Sequence, residues 1–204
     1  MNEVLIQDFI NALVALFIAA IPLAIYAFAV NRREGLSWDE IRNRAGLVSG
    51  PPRYWAYGGA FTVLAVVLVG LRYQWMGTEI AQEGSPLLRF VDLGLGTEAV
   101  IAALLYGMIG TGLWEEILFR GLIGGALFRR LSFWMANATQ AMIFLLPHLL
   151  ILFIEPGWWY FLIPTVFLMG IVLGWLRHNS GSILPCWLVH GGSNVAVALF
   201  IAVG

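Results

Sequence analysis

Six long apolar runs constrain this chain more than any other feature of its sequence. A helix needs about 20 residues to cross about 30 Å of hydrocarbon, and the spanning segment must be helical because no water is present to bond its backbone. The sequence therefore predicts an all-α polytopic membrane protein with about six transmembrane helices. The runs cover residues 9–30, 54–71, 98–118, 136–154, 158–176 and 183–203.

The composition supports this fold class and excludes others. Of the 204 residues, 60% are hydrophobic and 11% are charged, which leaves too little polar surface to cover a water-soluble domain. The 11 basic residues are all arginine and lie in short clusters, so there is no electrostatic case for nucleic-acid binding. We expect a single membrane domain that comprises residues 1–204.

The charges between the apolar runs predict how the chain is oriented. The connectors after the first, third and fifth runs are rich in arginine: Arg32, Arg33, Arg42, Arg44, Arg53, Arg129, Arg130 and Arg177. The other connectors and the N-terminal tail are mainly acidic, with Glu3, Asp8, Glu79, Glu83, Asp92, Glu98 and Glu155. The positive-inside rule makes the arginine-rich connectors cytoplasmic and both termini external. We expect an integral multi-pass protein of a cell inner or plasma membrane.

Three groups of polar residues interrupt the apolar runs. An ionisable side chain at the bilayer centre costs about 2.5 to 3.5 kcal/mol, so each such group is a candidate functional site. The groups are Glu115 and Glu116 with Arg120, then His148 with Phe144 four residues before it, and His190 with Asn194 four residues after it.

Helical spacing separates the two adjacent glutamates. Residues four apart share one helix face, whereas neighbours diverge by about 100°. Glu116 and Arg120 are therefore predicted to form a structural ion pair, and Glu115 is predicted to face a cavity as a base. By the same spacing, His190 and Asn194 share a face of the sixth helix, so that both side chains can reach the same position. Phe144 and His148 likewise share a face of the fourth helix.

Two chemistries fit these residues. In a hydrolytic site, Glu115 takes a proton from water, His148 orients that water, and His190 with Asn194 stabilises the developing oxyanion. In the alternative, Glu115, His148 and His190 bind zinc and leave water in the fourth position. A non-catalytic membrane scaffold, a self-immunity factor and a transporter are the other classes that the polar groups allow.

Local patterns give further expectations about the helices. The third helical pattern extends to Phe128, so this helix either projects past the inner surface or turns at Gly121, Gly124 and Gly125. Glu115 is expected near the inner end of its span, and the polar stretch 136–140 suggests that the fourth crossing starts near Ala141. Ser37 is a predicted N-cap of a short surface helix.

The three polar motifs, in this order on membrane helices, resemble the CPBP or Abi family of intramembrane proteases, which includes the type II CAAX prenyl endopeptidases and bacteriocin-processing proteins. The resemblance covers residues of about 98–200. It implies a glutamate-dependent endopeptidase without metal, in which Glu115 is the base, His148 assists the water and His190 with Asn194 forms the oxyanion hole. A membrane-associated or lipidated peptide is the implied substrate, cleaved near the cytoplasmic surface.

Overall fold

Seven helices account for most of the chain in a computed structural model that describes residues 3–76, 81, 84–91, 93–154 and 156–204. No β-strand occurs in these ranges. In chain order the helices are α1 Glu3–Glu34, α2 Trp38–Ala45, α3 Pro52–Met76, α4 Thr97–Phe128, α5 Phe133–His148, α6 Trp159–Ser180 and α7 Leu184–Val203.

Six of these helices are long and apolar enough to cross a membrane, as the apolar runs predict. The short helix α2 is the exception, and α5 reaches the required length through a 3₁₀ turn at Leu149–Phe153. The all-α polytopic prediction is therefore confirmed. The external placement of both termini stays a prediction, and four acidic residues that support it lie outside the described residues: Glu79, Glu83, Asp92 and Glu155.

The chain forms two compact units, each built from separate stretches of sequence. The first unit contains Met1–Ala20, Ala56–Trp114 and Trp187–Gly204, and the second contains Ile21–Trp55 and Glu115–Cys186. A single membrane domain over residues 1–204 stays a prediction.

Helix α2 begins where the sequence predicts, at a capping box. The Ser37 hydroxyl accepts a hydrogen bond from the Glu40 backbone N–H at 3.4 Å, and the Glu40 carboxylate accepts one from the Ser37 backbone N–H at 2.8 Å. Hydrogen bonds from the Ser37 hydroxyl and backbone lower the pKa of Glu40 below its ordinary value. Gly46 ends the helix in the left-handed conformation that glycine favours.

Helix α4 continues through its glycine-rich part without a turn. Its segments Leu105–Leu113 and Glu116–Gly124 are π-helical, a wider form in which each N–H bonds five residues back. The alternative in which the chain turns at Gly121, Gly124 and Gly125 is therefore wrong. Two of these glycines make room for α2, because an added Cβ would lie 2.8 Å from the Ala45 carbonyl oxygen at Gly121 and 3.0 Å from that of Arg44 at Gly125.

Helix α5 begins at Phe133 and includes the polar stretch 136–140, while the start of the membrane crossing near Ala141 stays a prediction. The polar residues that suggested it are buried and bonded to the next helix. Asn137 donates to the Ile171 carbonyl at 3.1 Å, and Gln140 donates to the Gly170 carbonyl at 2.7 Å. Polar residues in a membrane helix are thus accommodated here by contacts between helices.

Arg177, which the sequence places in the connector between the fifth and sixth apolar runs, is part of a helix and is buried. It belongs to the last turn of α6, is only 7% exposed, and donates hydrogen bonds to the carbonyl oxygens of Arg120 at 3.2 Å and Arg44 at 2.9 Å. A guanidinium tolerates this burial because its N–H groups donate hydrogen bonds to backbone carbonyl oxygens.

Candidate active site

Glu116 and Arg120 form the ion pair that their spacing predicts. The Arg120 Nη1 atom lies 2.9 Å from the Glu116 Oε1 atom, and the side chains are 0% and 1% exposed respectively for Glu116 and Arg120. At such burial each charge needs the other, because removing one partner leaves an uncompensated charge in an apolar interior.

Phe144 connects this pair to the next helix. The Arg120 guanidinium carbon lies 3.9 Å from the centroid of the Phe144 ring, and the Phe119 ring meets that ring edge-on at 5.2 Å. The His148 ring lies on another side, with centroids 4.6 Å apart. The buried Phe144 therefore fixes the lateral positions of Arg120 and His148 together.

A backbone contact orients the His148 imidazole. Its Nδ1 atom lies 2.8 Å from the carbonyl oxygen of Phe144, one helical turn earlier. Because a carbonyl oxygen only accepts hydrogen bonds, Nδ1 carries a proton and the neutral ring has its lone pair on Nε2.

The Nε2 atom of His148 faces Glu115. It lies 3.8 Å from the Glu115 Oε2 atom, and the two side chains are 20% and 12% exposed respectively for His148 and Glu115. This separation is too long for a direct hydrogen bond, but it suits a shared small molecule between the two groups. Two proton acceptors that face each other at this distance match a water molecule that donates to both.

Glu115 and His148 lie at similar distances along the chain from the turn that joins α4 to α5. Glu115 lies 13 positions before the end of α4 at Phe128, and its place near the inner end of the span stays a prediction. His148 lies 15 positions after the start of α5 at Phe133, a similar length. Glu115 and His148 therefore meet because both helices extend equally far from the turn that joins them.

His190 and Asn194 lie on α7 in the first unit. His190 is 6% exposed, and its carbonyl oxygen accepts a hydrogen bond from the Ser193 hydroxyl at 2.7 Å. The Asn194 Nδ2 atom donates to the Thr111 hydroxyl of α4 at 2.8 Å. This bond uses one of the two N–H groups of the amide.

Small residues bring α7 close to α4 in this unit. A Cβ added at Gly107 would lie 2.5 Å from the Val195 backbone nitrogen, and one at Gly112 would lie 3.0 Å from the Gly191 Cα atom. The Trp187 indole also donates to the Met108 carbonyl at 2.6 Å. The Asn194 amide is thus held on a helix whose backbone approaches that of α4 closely.

The structure brings some predicted site residues together within a unit and leaves the full set as a prediction. In the second unit Glu115 meets His148, and Glu116, Arg120 and Phe144 support them. Among the described residues, no group of three or more His, Cys, Asp and Glu side chains is placed to hold a metal ion. The zinc alternative with Glu115, His148 and His190 stays a prediction.

Sequence reasoning missed Thr111 and the π-helical register of α4. Thr111 is uncharged, and hydroxyls in membrane helices commonly bond to their own backbone, as this one does to the carbonyl oxygens of Tyr106 and Gly107 at 3.1 Å. The available signal was a cluster of small residues, Gly107, Gly110, Thr111 and Gly112, directly before the two glutamates.

One comparison with known proteins gives a match. The family model described as Type II CAAX prenyl endopeptidase Rce1-like matches residues 97–196. This range begins at the first residue of α4 and contains all three polar motifs. No curated protein and no solved structure matches the chain.

Proposed function

Because this chain belongs, through residues 97–196, to the Rce1-like family of type II CAAX prenyl endopeptidases, we propose that it hydrolyses peptide bonds with a water molecule activated by Glu115. The family accounts for the reaction class, a peptide hydrolase in a membrane. The assignment of the individual residues is our own.

The observation that carries the proposal is the facing pair of Glu115 and His148. Their 3.8 Å separation, with the Nδ1 proton of His148 bonded to the Phe144 carbonyl, favours a water that donates to both groups. Glu115 takes one proton from this water as it attacks the scissile carbonyl. The same carboxyl group then returns the proton to the leaving amine, so that the peptide bond breaks and a new carboxylate forms.

His190 and Asn194 are proposed to stabilise the oxyanion. Negative charge develops on the carbonyl oxygen during attack, and fixed N–H donors lower the energy of that state. The Asn194 amide is anchored through one N–H to Thr111, four residues before Glu115 in the chain, and has a second N–H to offer.

Glu116, Arg120 and Phe144 are proposed to position the catalytic pair. The buried ion pair fixes the helix that carries Glu115, while Phe144 contacts both Arg120 and His148. None of these three residues needs to exchange a proton during the reaction.

The proposed substrate is a lipidated or otherwise membrane-associated peptide, and the family name suggests the C-terminus of a prenylated protein. Helix α2, a polar surface helix, contacts α4 at Gly121. Glu115 lies only six residues before Gly121 in the same helix. Cleavage close to the cytoplasmic surface agrees with this depth.

Cleavage of a quenched fluorescent peptide by purified protein in lipid nanodiscs tests the proposal. The peptide carries a farnesylated cysteine three residues from its C-terminus, and an unprenylated copy tests the need for the lipid. Glu115→Gln should lower the rate by at least about 100-fold. Glu98→Gln is the matched control, since it removes a carboxylate from the same helix, and should leave the rate unchanged. A folded Glu115→Gln protein that still cleaves at the wild-type rate would overturn the mechanism.

We propose that the reaction needs no resident metal ion. Elemental analysis of the active protein tests this directly, together with the cleavage rate after dialysis against a chelator. One zinc ion for each chain, with activity that is lost on chelation and restored by zinc, would replace this mechanism with the zinc alternative.

A further inference from the structure

A second polar site lies away from Glu115 and His148, at the end of the second unit where three helices finish. A cavity of about 340 Å³ is lined there by Asn43, Arg44, Gly125, Phe128, Arg129, Arg177 and His178. These residues come from the last turns of α2, α4 and α6 and from the residue that follows α4. The cavity therefore occupies the arginine-rich end of the unit.

The lining of this cavity is basic. It holds three arginines and a histidine, and no carboxylate is among the described residues that line it. Glu34 offsets one of the charges, because its Oε2 atom lies 2.6 Å from Arg44 Nη1. No carboxylate of the described residues lies within salt-bridge distance of Arg129 or Arg177. The cavity therefore keeps an excess of positive charge.

Contacts within the protein fix the positions of two residues that line the cavity, Arg177 and His178. Buried Arg177 bonds to the carbonyl oxygens of Arg120 and Arg44. The His178 ring lies between the rings of Phe128 and Phe133, with centroids 4.9 and 4.8 Å away. These contacts preorganise the basic groups, which reduces the entropy lost when a ligand binds.

The neighbouring residues indicate the level of lipid headgroups. Trp38 opens α2 and is 68% exposed, and Trp134 in the first turn of α5 is 76% exposed. Exposed tryptophans are enriched where hydrocarbon meets water. Basic pockets between membrane helices on the cytoplasmic side are suited to anionic headgroups.

We propose that this cavity binds the phosphate group of an anionic ligand at the membrane surface, with Arg129 and Arg177 as its main charge partners. Guanidinium groups suit this role because their N–H donors match the oxygens of a phosphate. An anionic phospholipid headgroup and free inorganic phosphate are the two sources of such a group, and they are separated by experiment.

The test measures how ligands shift the midpoint of thermal unfolding of the detergent-purified full chain, followed by tryptophan fluorescence. The probes are dihexanoyl phosphatidylglycerol, dihexanoyl phosphatidylcholine with the same acyl chains, and sodium phosphate, all at equal ionic strength. The variants are Arg129→Gln, which alters the cavity, and Arg130→Gln, which removes the adjacent exposed arginine outside it. Each shift is taken relative to the same variant without ligand.

Phosphatidylglycerol should raise the midpoint by about 5 °C near saturation, and phosphatidylcholine should not. Arg129→Gln should weaken the apparent affinity about fivefold, as loss of one arginine near the membrane surface implies, and Arg130→Gln should not. A shift with phosphatidylglycerol alone assigns the site to a lipid headgroup, and an equal shift with inorganic phosphate assigns it to a soluble phosphate. No shift with either, or equal weakening in both variants, would overturn the site.

Discussion

Two adjacent glutamates on α4 have opposite surroundings. Glu116 is completely buried, and its carboxylate accepts a hydrogen bond from Arg120 at 2.9 Å. Glu115 keeps a small exposed area and faces the His148 imidazole at 3.8 Å. One carboxylate has a permanent cation as its partner, and the other faces an imidazole ring. The role of each glutamate in this membrane helix is therefore inferred from the group that its carboxylate faces.

The same contrast divides the polar residues of the other helices. Asn137 and Gln140 bond to backbone oxygens of α6, and these bonds hold two helices together. The Asn194 amide donates one N–H to Thr111 and has a second N–H group, and the His148 Nε2 atom faces Glu115. Substitutions of the first kind should change stability, and those of the second kind should change catalysis.

The largest effect on stability is expected from Arg120→Met. This change leaves Glu116 buried without its partner, which should lower the free energy of unfolding by about 3 to 5 kcal/mol. Denaturation of the purified protein in mixed micelles measures the loss. The double variant Glu116→Gln with Arg120→Met should recover most of it, and failure to recover would mean that the pair itself is not the cause.

Asn194→Ala should reduce kcat by about 100-fold to 1,000-fold, because it removes one donor to the oxyanion. Thermal unfolding should show that the variant is still folded. Asn179→Ala makes the same chemical change at an exposed residue near the end of α6 and should leave kcat unchanged. A kcat within threefold of wild type in Asn194→Ala would remove this residue from the oxyanion hole.

Gly174→Ala should act on stability alone. An added Cβ would collide with the side chains of Asn137 and Gln140, and such overpacking costs about 1 to 3 kcal/mol. Gly157→Ala is the control, since nothing described lies within 4 Å of its added Cβ. If folded Gly174→Ala protein lost kcat as strongly as Asn194→Ala, the division between packing and catalytic polar residues would fail.

The smallest effect is expected from Ser37→Ala, which removes the N-cap of α2. The loss should be about 1 kcal/mol in the free energy of unfolding, without change in kcat. Ser49→Ala, outside any helix, serves as its control. An unaltered free energy of unfolding in Ser37→Ala would show that α2 contributes nothing to the stability of its unit.

The sequence predicts those features that depend on local spacing. The six spans follow from the length of the apolar runs, the Glu116–Arg120 pair from the four-residue repeat, and the Ser37 cap from its neighbours. The sequence also predicts that Glu115 and His148 act at one site, and their side chains lie 3.8 Å apart. They meet because the segments from each residue to the turn between α4 and α5 are of similar length.

The features that the sequence did not predict depend on partners far along the chain. The sequence places Arg177 in a connector and does not predict its burial. Its hydrogen-bond acceptors are the backbone carbonyl oxygens of Arg120 and Arg44, which no side-chain pattern can indicate. Asn137 and Gln140 read as too polar for a membrane because their acceptors on α6 are backbone atoms. The π-helical segments of α4 are defined by backbone hydrogen bonds five residues apart, which no side-chain motif in the sequence indicates.

Parallel measurement of Glu115→Gln and Glu116→Gln tests the central claim most directly, because the two variants make the same chemical change one residue apart. Cleavage rate and unfolding midpoint are measured for both in one lipid. Glu115→Gln should lose cleavage and keep its midpoint, whereas Glu116→Gln should lose stability and retain cleavage in the molecules that stay folded. The reverse pattern, or equal loss of cleavage in both at unchanged midpoints, would contradict the separate roles of the two glutamates.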